Sequence, residues 1–269
     1  MPTKSLWLGM ALGGSKKRRA ILKDYKEGRR PVKLNRNYEY ETDNAEQNKI
    51  QQRNRLGEYL SDLPIFQIII NDAEADDIVA YICQLYNKEE KIILSNDKDF
   101  YQLLNDKTTV FNPYRKMFYM EKDLFEEFKI YPCNFGLAKA ICGDPSDNVK
   151  GVGKVGFKTL TKMFPMFAEN KKITTEDFFA FCAANGTKYQ KYVDNHDKIC
   201  DNIRVVRLDT PLISFISIQK IIDYLEKPVV LNATGFRTKL LGDGINNITD
   251  GFYQPFRTIA FKNKEKENK

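Results

Sequence analysis

The sequence has one histidine, His196, and one tryptophan in 269 residues. A lone imidazole with no plausible partner argues against chemistry built on histidine. The five cysteines, Cys83, Cys133, Cys142, Cys182 and Cys200, are odd in number, widely spread and never spaced C-x-x-C. That pattern argues against a disulfide framework and a zinc site, and it fits a reducing cytoplasm. No apolar run approaches the roughly 18 residues that span a bilayer, so an integral membrane protein is not expected. The N-terminal LWLGMAL is too short for an ordinary signal segment, and its basic run follows it instead of preceding it. Internal repeats are missing as well.

What is present is charge, unevenly placed. Forty-three Lys and Arg face 36 Asp and Glu, giving a net charge of +7. Residues 16–36 carry Lys16, Lys17, Arg18, Arg19, Lys23, Lys26, Arg29, Arg30, Lys33 and Arg36, opposed only by Asp24 and Glu27. A solvated arm and a phosphate-contacting segment both fit this run, the second because Lys and Arg release counterions from a polyanion. Residues 72–99 carry Asp72, Glu74, Asp76, Asp77, Glu89, Glu90, Asp97 and Asp99. A basic stretch followed by clustered acids suits a metal-dependent enzyme acting on a polyanion.

LPIFQIIIN (63–71) predicts a buried parallel strand. DAEADDIVAYICQLYN (72–87) predicts a helix begun near Asp72, with apolar residues at helical spacing. KIILS (91–95) and TTVFNP (108–113) predict two more strands, separated by a short helix over KDFYQLLN (98–105). This alternation predicts a doubly wound α/β sheet. Residues 42–63 read as one polar helix, and 121–129 and 133–142 as further helices. Beyond 143 strand signals fade into helices and turns. The expected division is an α/β domain over 1–130 and a helical domain over 131–269, whose tail 262–269 is expected to be disordered.

Three acidic groups fall after predicted strands or in loops: Glu74, Asp76 and Asp77; Asp97 and Asp99; Asp144 and Asp147. Ligands of open α/β sheets gather beyond the carboxyl ends of strands. Taken singly, each acid has a plainer reading: Asp72 or Glu74 complements a helix N-terminus, and Asp97 and Asp99 are turn residues. Taken together, seven carboxylates on one edge would repel one another unless cations lay between them. Hard oxygen ligands suit Mg²⁺ or Mn²⁺, and two such ions about 4 Å apart are a usual device for cleaving phosphodiesters.

Gly151-Val152-Gly153-Lys154-Val155-Gly156 precedes the amphipathic FKTLTKMF. Glycines let backbone N–H groups approach a phosphate at a helix start, and Lys150, Lys154 and Lys158 add charge. The preceding strand and later acid of a dinucleotide site are missing, which leaves a helix–hairpin–helix grip on a DNA backbone or a plain glycine turn. A small-molecule kinase or dinucleotide enzyme would rest on these glycines alone.

RRAILKDYKEGR (18–29), EADD (74–77), SNDKDFYQLL (95–104) and GDPSDNVKGVGKVGFKTL (143–160) stand in this order in the chain. Together they resemble the bacteriophage and bacterial 5′-nuclease family of 5′→3′ exonucleases, flap endonucleases and phage-type ribonucleases H, over roughly residues 11–215. The resemblance implies a PIN-like nuclease domain with a parallel sheet, a helix–three-turn–helix DNA module and two divalent ions. It implies metal ligation by Glu74, Asp76, Asp77, Asp97, Asp99, Asp144 and Asp147. It implies that Lys26 and Arg29 lie at the scissile phosphate, and that Gly151, Gly153, Gly156 and their lysines grip duplex DNA, with K⁺ at the hairpin. Arg18 and Arg19 would steer a single-stranded 5′ end, on DNA or on an RNA–DNA hybrid, in a bacterial or phage-infected cytoplasm.

Two features depart from the pattern. The family's opening strand, which carries a ligand Asp, has no counterpart; the chain begins at what reads as the second strand, LWLGMA. Ala11 stands where another Asp is usual. Three explanations are open: a mis-started reading frame, a first strand supplied by a separate polypeptide, or a degenerate member that binds DNA without cleaving it.

Overall fold

The structure, a computed structural model, describes residues 5–8, 14–27 and 45–267. Residues Arg29 and Ala11 lie outside the described residues. The chain forms two compact units. One comprises Met1–Met10, Arg30–Ile70 and Phe215–Lys269; the other comprises Ala11–Arg29 and Asn71–Ser214.

In the first unit, β1 (Ser5–Leu8) pairs in parallel with β2 (Ile65–Ile68). Phe66 and Ile68 of β2 are buried and the intervening residues less so, as the twofold period of a half-covered strand requires. The polar helix α2 (Ala45–Leu60) precedes β2. Three helices come from the C-terminal end: α10 (Phe215–Glu226), α11 (Ala233–Gly242) and α12 (Asp250–Glu267). Leu63, Phe236, Leu240 and Tyr253 form a small core here. The tail expected to be disordered instead continues α12 as far as Glu267, because Lys and Glu are good helix formers and nothing between 256 and 267 breaks the helix.

The second unit holds α1 (Lys16–Ile21), α3 (Ala75–Leu85), β3 (Lys91–Leu94), β4 (Thr108–Asn112) and β5 (Met117–Tyr119). β3 pairs in parallel with β4, as the alternation predicts. The sheet is mixed, not wholly parallel: β5 returns antiparallel to β4 through a turn in which Lys116 takes φ 54°. That short hairpin carries no run long enough to announce itself in sequence. Helices α4 (Glu121–Phe128) and α5 (Pro132–Cys142) follow. A two-residue hairpin, β6 (Gly143–Asp144) and β7 (Val149–Lys150), leads into α6 (Phe157–Met163), α7 (Thr175–Ala184), α8 (Thr187–Val193) and α9 (His196–Val206).

Helix α5 is buried nearly all round, which is why its sequence shows little amphipathic pattern. It packs on the tight turn Lys98–Leu103 and on α9. An aromatic cluster holds the helical part together. The Phe164 ring meets those of Phe178, Phe181, Tyr189 and Tyr192 at centroid distances of 5.0, 5.6, 5.2 and 5.2 Å. Each such pair adds about 0.5–1.5 kcal/mol beyond simple burial. The strand-borne and helix-borne acids all lie within this second unit.

Candidate active site

Every described site residue lies in the second unit. Helix α3 starts at Glu74, which sits at the cap position with extended backbone but gives its side chain to no N–H of the helix. The Glu74 carboxylate turns instead toward the segment after α1. Its Oε2 accepts from Lys26 Nζ at 2.7 Å and lies 3.2 Å from the Tyr25 hydroxyl and 3.3 Å from Arg18 Nη1. Tyr25 is buried, and its hydroxyl is also 3.0 Å from Asp147 Oδ2. Lys26 donates its backbone N–H to the Asp147 carbonyl at 2.9 Å and adopts φ 55°. The left-handed backbone is what brings adjacent Tyr25 and Lys26 onto the same two carboxylates.

A second cluster lies around α5. Lys139 reaches from the last turn of α5 to Asp144 Oδ2 at 2.8 Å and makes a short contact with Asp99 Oδ1. Asp99, Asp144 and Asp147 bring carboxylate oxygens within 4.8 Å of one another. Asp99 comes from the turn after β3, Asp144 from the end of β6 and Asp147 from the loop between β6 and β7. Asp97 and Asp144 also serve their turns. Asp97 accepts from the Asp99 N–H at 3.0 Å, and Asp144 accepts from the Ser146 N–H at 2.9 Å. Of Asp97 and Asp99, read plainly as turn residues, Asp97 does accept a turn hydrogen bond, whereas Asp99 turns an oxygen to Lys139.

Burial and then the charge of Asp97 push the Asp76 carboxyl up to about 7. Burial likewise lifts Asp99 to about 6, against the pull of Lys139. Burial would lift Asp144 too, but Lys139 and Ser146 outweigh it and hold that carboxyl below its ordinary value. Tyr25 is pushed well above its ordinary range by burial and by Glu74 and Asp147, so its proton stays available to those carboxylates. Half-buried, mutually repelling oxygens of this kind form the donor set that a small hard divalent cation accepts.

Two sequence-predicted residues stand elsewhere. Arg18 is only 2 % exposed and forks onto Asp77, with Nη1–Oδ2 at 2.5 Å and Nη2–Oδ1 at 2.9 Å. Its Nε donates to the Val205 carbonyl at 2.7 Å. The interior takes Arg18 because a fully paired guanidinium is more stable than an unpaired Asp77, and its guanidinium is turned to Asp77 and Val205 and not to solvent. Asp77, 1 % exposed, also accepts from the Leu212 N–H at 3.0 Å, so both its oxygens are engaged within the protein. Arg19 remains exposed.

The glycine segment is built as a backbone cradle. Gly151 touches the Cys142 carbonyl so closely that a Cβ has no room, and Gly153 adopts φ 76°. The Val152 N–H donates to the Ile141 carbonyl at 2.8 Å, while Asn202 donates to Lys150 and Ala140 carbonyls at 3.0 and 2.8 Å. Lys198 Nζ donates to the Gly151 carbonyl at 2.9 Å. Lys150, Lys154 and Lys158 are exposed, and Gly156 caps α6. Tyr25, Lys139, Lys198 and Asn202 were not singled out from sequence. Of these only Tyr25 left a signal, its place beside Lys26 in the KDYKEGR segment.

Residues 4–129 match the family model of the 5′-3′ exonuclease N-terminal, resolvase-like domain. A 5′-3′ exonuclease of Buchnera aphidicola subsp. Schizaphis graminum is 35% identical over 120 residues, 44% of this chain and 42% of that protein. A flap endonuclease Xni of Psychromonas ingrahamii is 27% identical over 158 residues, 58% of this chain and 55% of that protein. The chain thus spans less than two thirds of the length of the curated relatives it matches. The zinc-bound structure of bacteriophage T5 5′-exonuclease superposes with a TM-score of 0.66, at 24% identity over 83% of each chain. At that identity the likeness concerns the fold: an α/β resolvase-like, PIN-type domain continued by helices. Among the described residues no helix is long and apolar enough to cross a membrane.

Proposed function

We propose that this chain is a member of the 5′-nuclease family, a divalent-metal-dependent 5′→3′ exonuclease and 5′-flap endonuclease acting on DNA. One observation carries the reading: acids more than forty positions apart in the chain, Asp99 and the pair Asp144 and Asp147, converge to within 4.8 Å. Glu74 joins them through Tyr25 and Lys26. Asp76, Asp97, Asp99, Asp144 and Asp147, with Glu74, would hold two ions of the Mg²⁺ or Mn²⁺ type. When bound, such ions activate a water and stabilise the leaving oxygen of a phosphodiester.

The chain's own residues supply the rest. Lys26 holds a positive charge beside Glu74 and Asp147, where a scissile phosphate would gain negative charge. Tyr25 keeps its proton and fixes both carboxylates. Arg19, with Arg29, would steer the single-stranded 5′ end. The exposed Lys150, Lys154 and Lys158 around the glycine cradle would hold the duplex behind it. The glycine hairpin is where a K⁺ ion would be held, beside the Gly151 carbonyl that already accepts from Lys198. The division of labour we propose is nuclease over residues 1–130 and helical DNA-binding over 131–269, supported by the end of the family match at residue 129. Removal of flaps or RNA primers in a bacterial or phage-infected cytoplasm is the role this implies, with DNA and RNA–DNA hybrids as substrates.

A labelled 5′-flap duplex incubated with the chain and Mg²⁺ tests the proposal. Release of the flap, abolished in Asp97→Ala, is expected. Tight binding without product in Mg²⁺ or Mn²⁺ would refute cleavage by this chain alone and favour a first strand supplied by a separate polypeptide.

A further inference from the structure

Lys139 is a lysine in an unusual place. It is 7 % exposed on a helix buried nearly all round, and buried ammonium groups persist only when paired. Its partners are Asp99 and Asp144, whose side chains are 16 and 12 % exposed. Those carboxylates are two of the three in the tight triad with Asp147. The backbone beneath them is fixed, because α5 packs on the Lys98–Leu103 turn and on α9. Two carboxylates so close repel strongly when nothing lies between them. In this structure the charge between them is Lys139 Nζ.

We infer that Lys139 is a built-in counter-cation of the acidic site: its ammonium clamps Asp99 and Asp144 in the metal-free protein, and a divalent ion must displace it to reach them. The inference rests on the proposed reading of these acids as metal ligands. A divalent ion of the Mg²⁺ type binds oxygens at about 2.0–2.1 Å and tolerates no second cation on the same lone pairs. The four-carbon stem of lysine allows withdrawal without movement of α5. Lys139 is thus a positioning residue with two opposing effects. It preserves the geometry of the empty site, and it weakens metal binding by competing for the same oxygens. Within the described residues, Lys26 performs the corresponding service for Glu74 and, at longer range, Asp147. Each acidic pair therefore has its own lysine.

The test uses the full chain with Mn²⁺ alone as the probe, followed by calorimetry and by the electron paramagnetic resonance signal of free Mn²⁺. Lys139→Gln removes the charge and keeps a polar side chain one atom shorter. It is expected to bind Mn²⁺ about tenfold more tightly than the wild type, since a competitor has been removed. Its metal-free melting temperature should fall, and saturating Mn²⁺ should raise it by more than it raises the wild type. Should Lys139→Gln fold only with Mn²⁺ present, that dependence is the same result in stronger form. Lys139→Arg retains the charge and should bind Mn²⁺ no more tightly than the wild type. Unchanged or weaker Mn²⁺ affinity in Lys139→Gln, with the wild type binding normally, overturns the inference and leaves the metal reading intact. No Mn²⁺ binding by either protein overturns both.

Discussion

Proton competition at the acidic edge gives a prediction with a worked magnitude. Asp76 is pushed up to about 7, by burial first and by Asp97 next, and Asp99 to about 6, mainly by burial. Each must lose its proton before it can ligate a cation. Lowering the pH from about 7 to about 5 protonates Asp76 roughly fiftyfold and Asp99 roughly tenfold further, several hundredfold if both ligate. Because both side chains retain some contact with water, about a hundredfold is the expected loss of Mn²⁺ affinity. Calorimetric titration at about pH 5, 6 and 7, in two buffers of different ionisation heat, gives the affinity and the protons released. An affinity that varies less than about threefold across this range, with no proton release, would show that these carboxyls are not ligands. The same shifts set the stability of the metal-free chain. A carboxyl whose folded pKa is raised binds protons in the folded state that the unfolded state has given up. Its contribution is complete below the ordinary carboxylate range and is lost as pH rises through about 6–7. Saturating Mn²⁺ should remove that loss.

Three further outcomes follow from named contacts. Arg18→Met leaves Asp77 buried and unpaired and should cost about 3–5 kcal/mol in urea unfolding, with a loss under about 1 kcal/mol contradicting the pairing. Gly151→Ala drives a Cβ into the Cys142 carbonyl and should cost about 1–3 kcal/mol, while Gly156→Ala, with open space around it, should cost at most about 1 kcal/mol. Equal melting temperatures for the two alanine variants would mean that the cradle is not rigid. If Lys158 meets a DNA phosphate, Lys158→Gln should lower duplex affinity for every sequence and reduce the salt slope, measured by fluorescence anisotropy at several KCl concentrations, by about 1. An unaltered slope would remove Lys158 from the interface.

Much of this architecture was legible because it repeats with a period. β2, β3 and β4 fall inside the apolar runs at 63–71, 91–95 and 108–113, α3 and α4 inside the segments read as helical, and α5 begins one residue before its segment, at Pro132. β5 was not legible, being three residues whose only function in the sheet is to answer β4. The tail was misread because composition alone cannot distinguish a charged solvated segment from the last turns of a helix anchored upstream by Tyr253 and Ile259. At the site, the carboxylates were visible through their spacing after strands, but their partners were not. Lys139 sits in PCNFGLAKAIC, where an apolar helix gives no sign that its one lysine points inward. Lys198 and Asn202 reach the hairpin from α9, roughly fifty residues downstream, a distance that only the fold closes.

The acids of this edge look alike in sequence and differ by the cation that meets them. Arg18 presents a planar fork that occupies both oxygens of Asp77 and, with the Leu212 N–H, completes its hydrogen bonding in the interior. A guanidinium so placed cannot give up its proton and cannot leave without stranding a buried charge, so the pair is permanent and structural. Lys26 and Lys139 present single point charges on flexible stems, at sites whose side chains stay 8–16 % exposed. Such a charge quenches repulsion while still permitting exchange for another cation arriving from water. The type of basic residue therefore distinguishes Asp77, forked by Arg18, from Asp99 and Asp144, whose ion pairs are to Lys139, while Glu74 meets both Lys26 and Arg18. Asp77, adjacent to Asp76 and identical in type, is the acid met by a two-pronged guanidinium and buried to 1 % exposure.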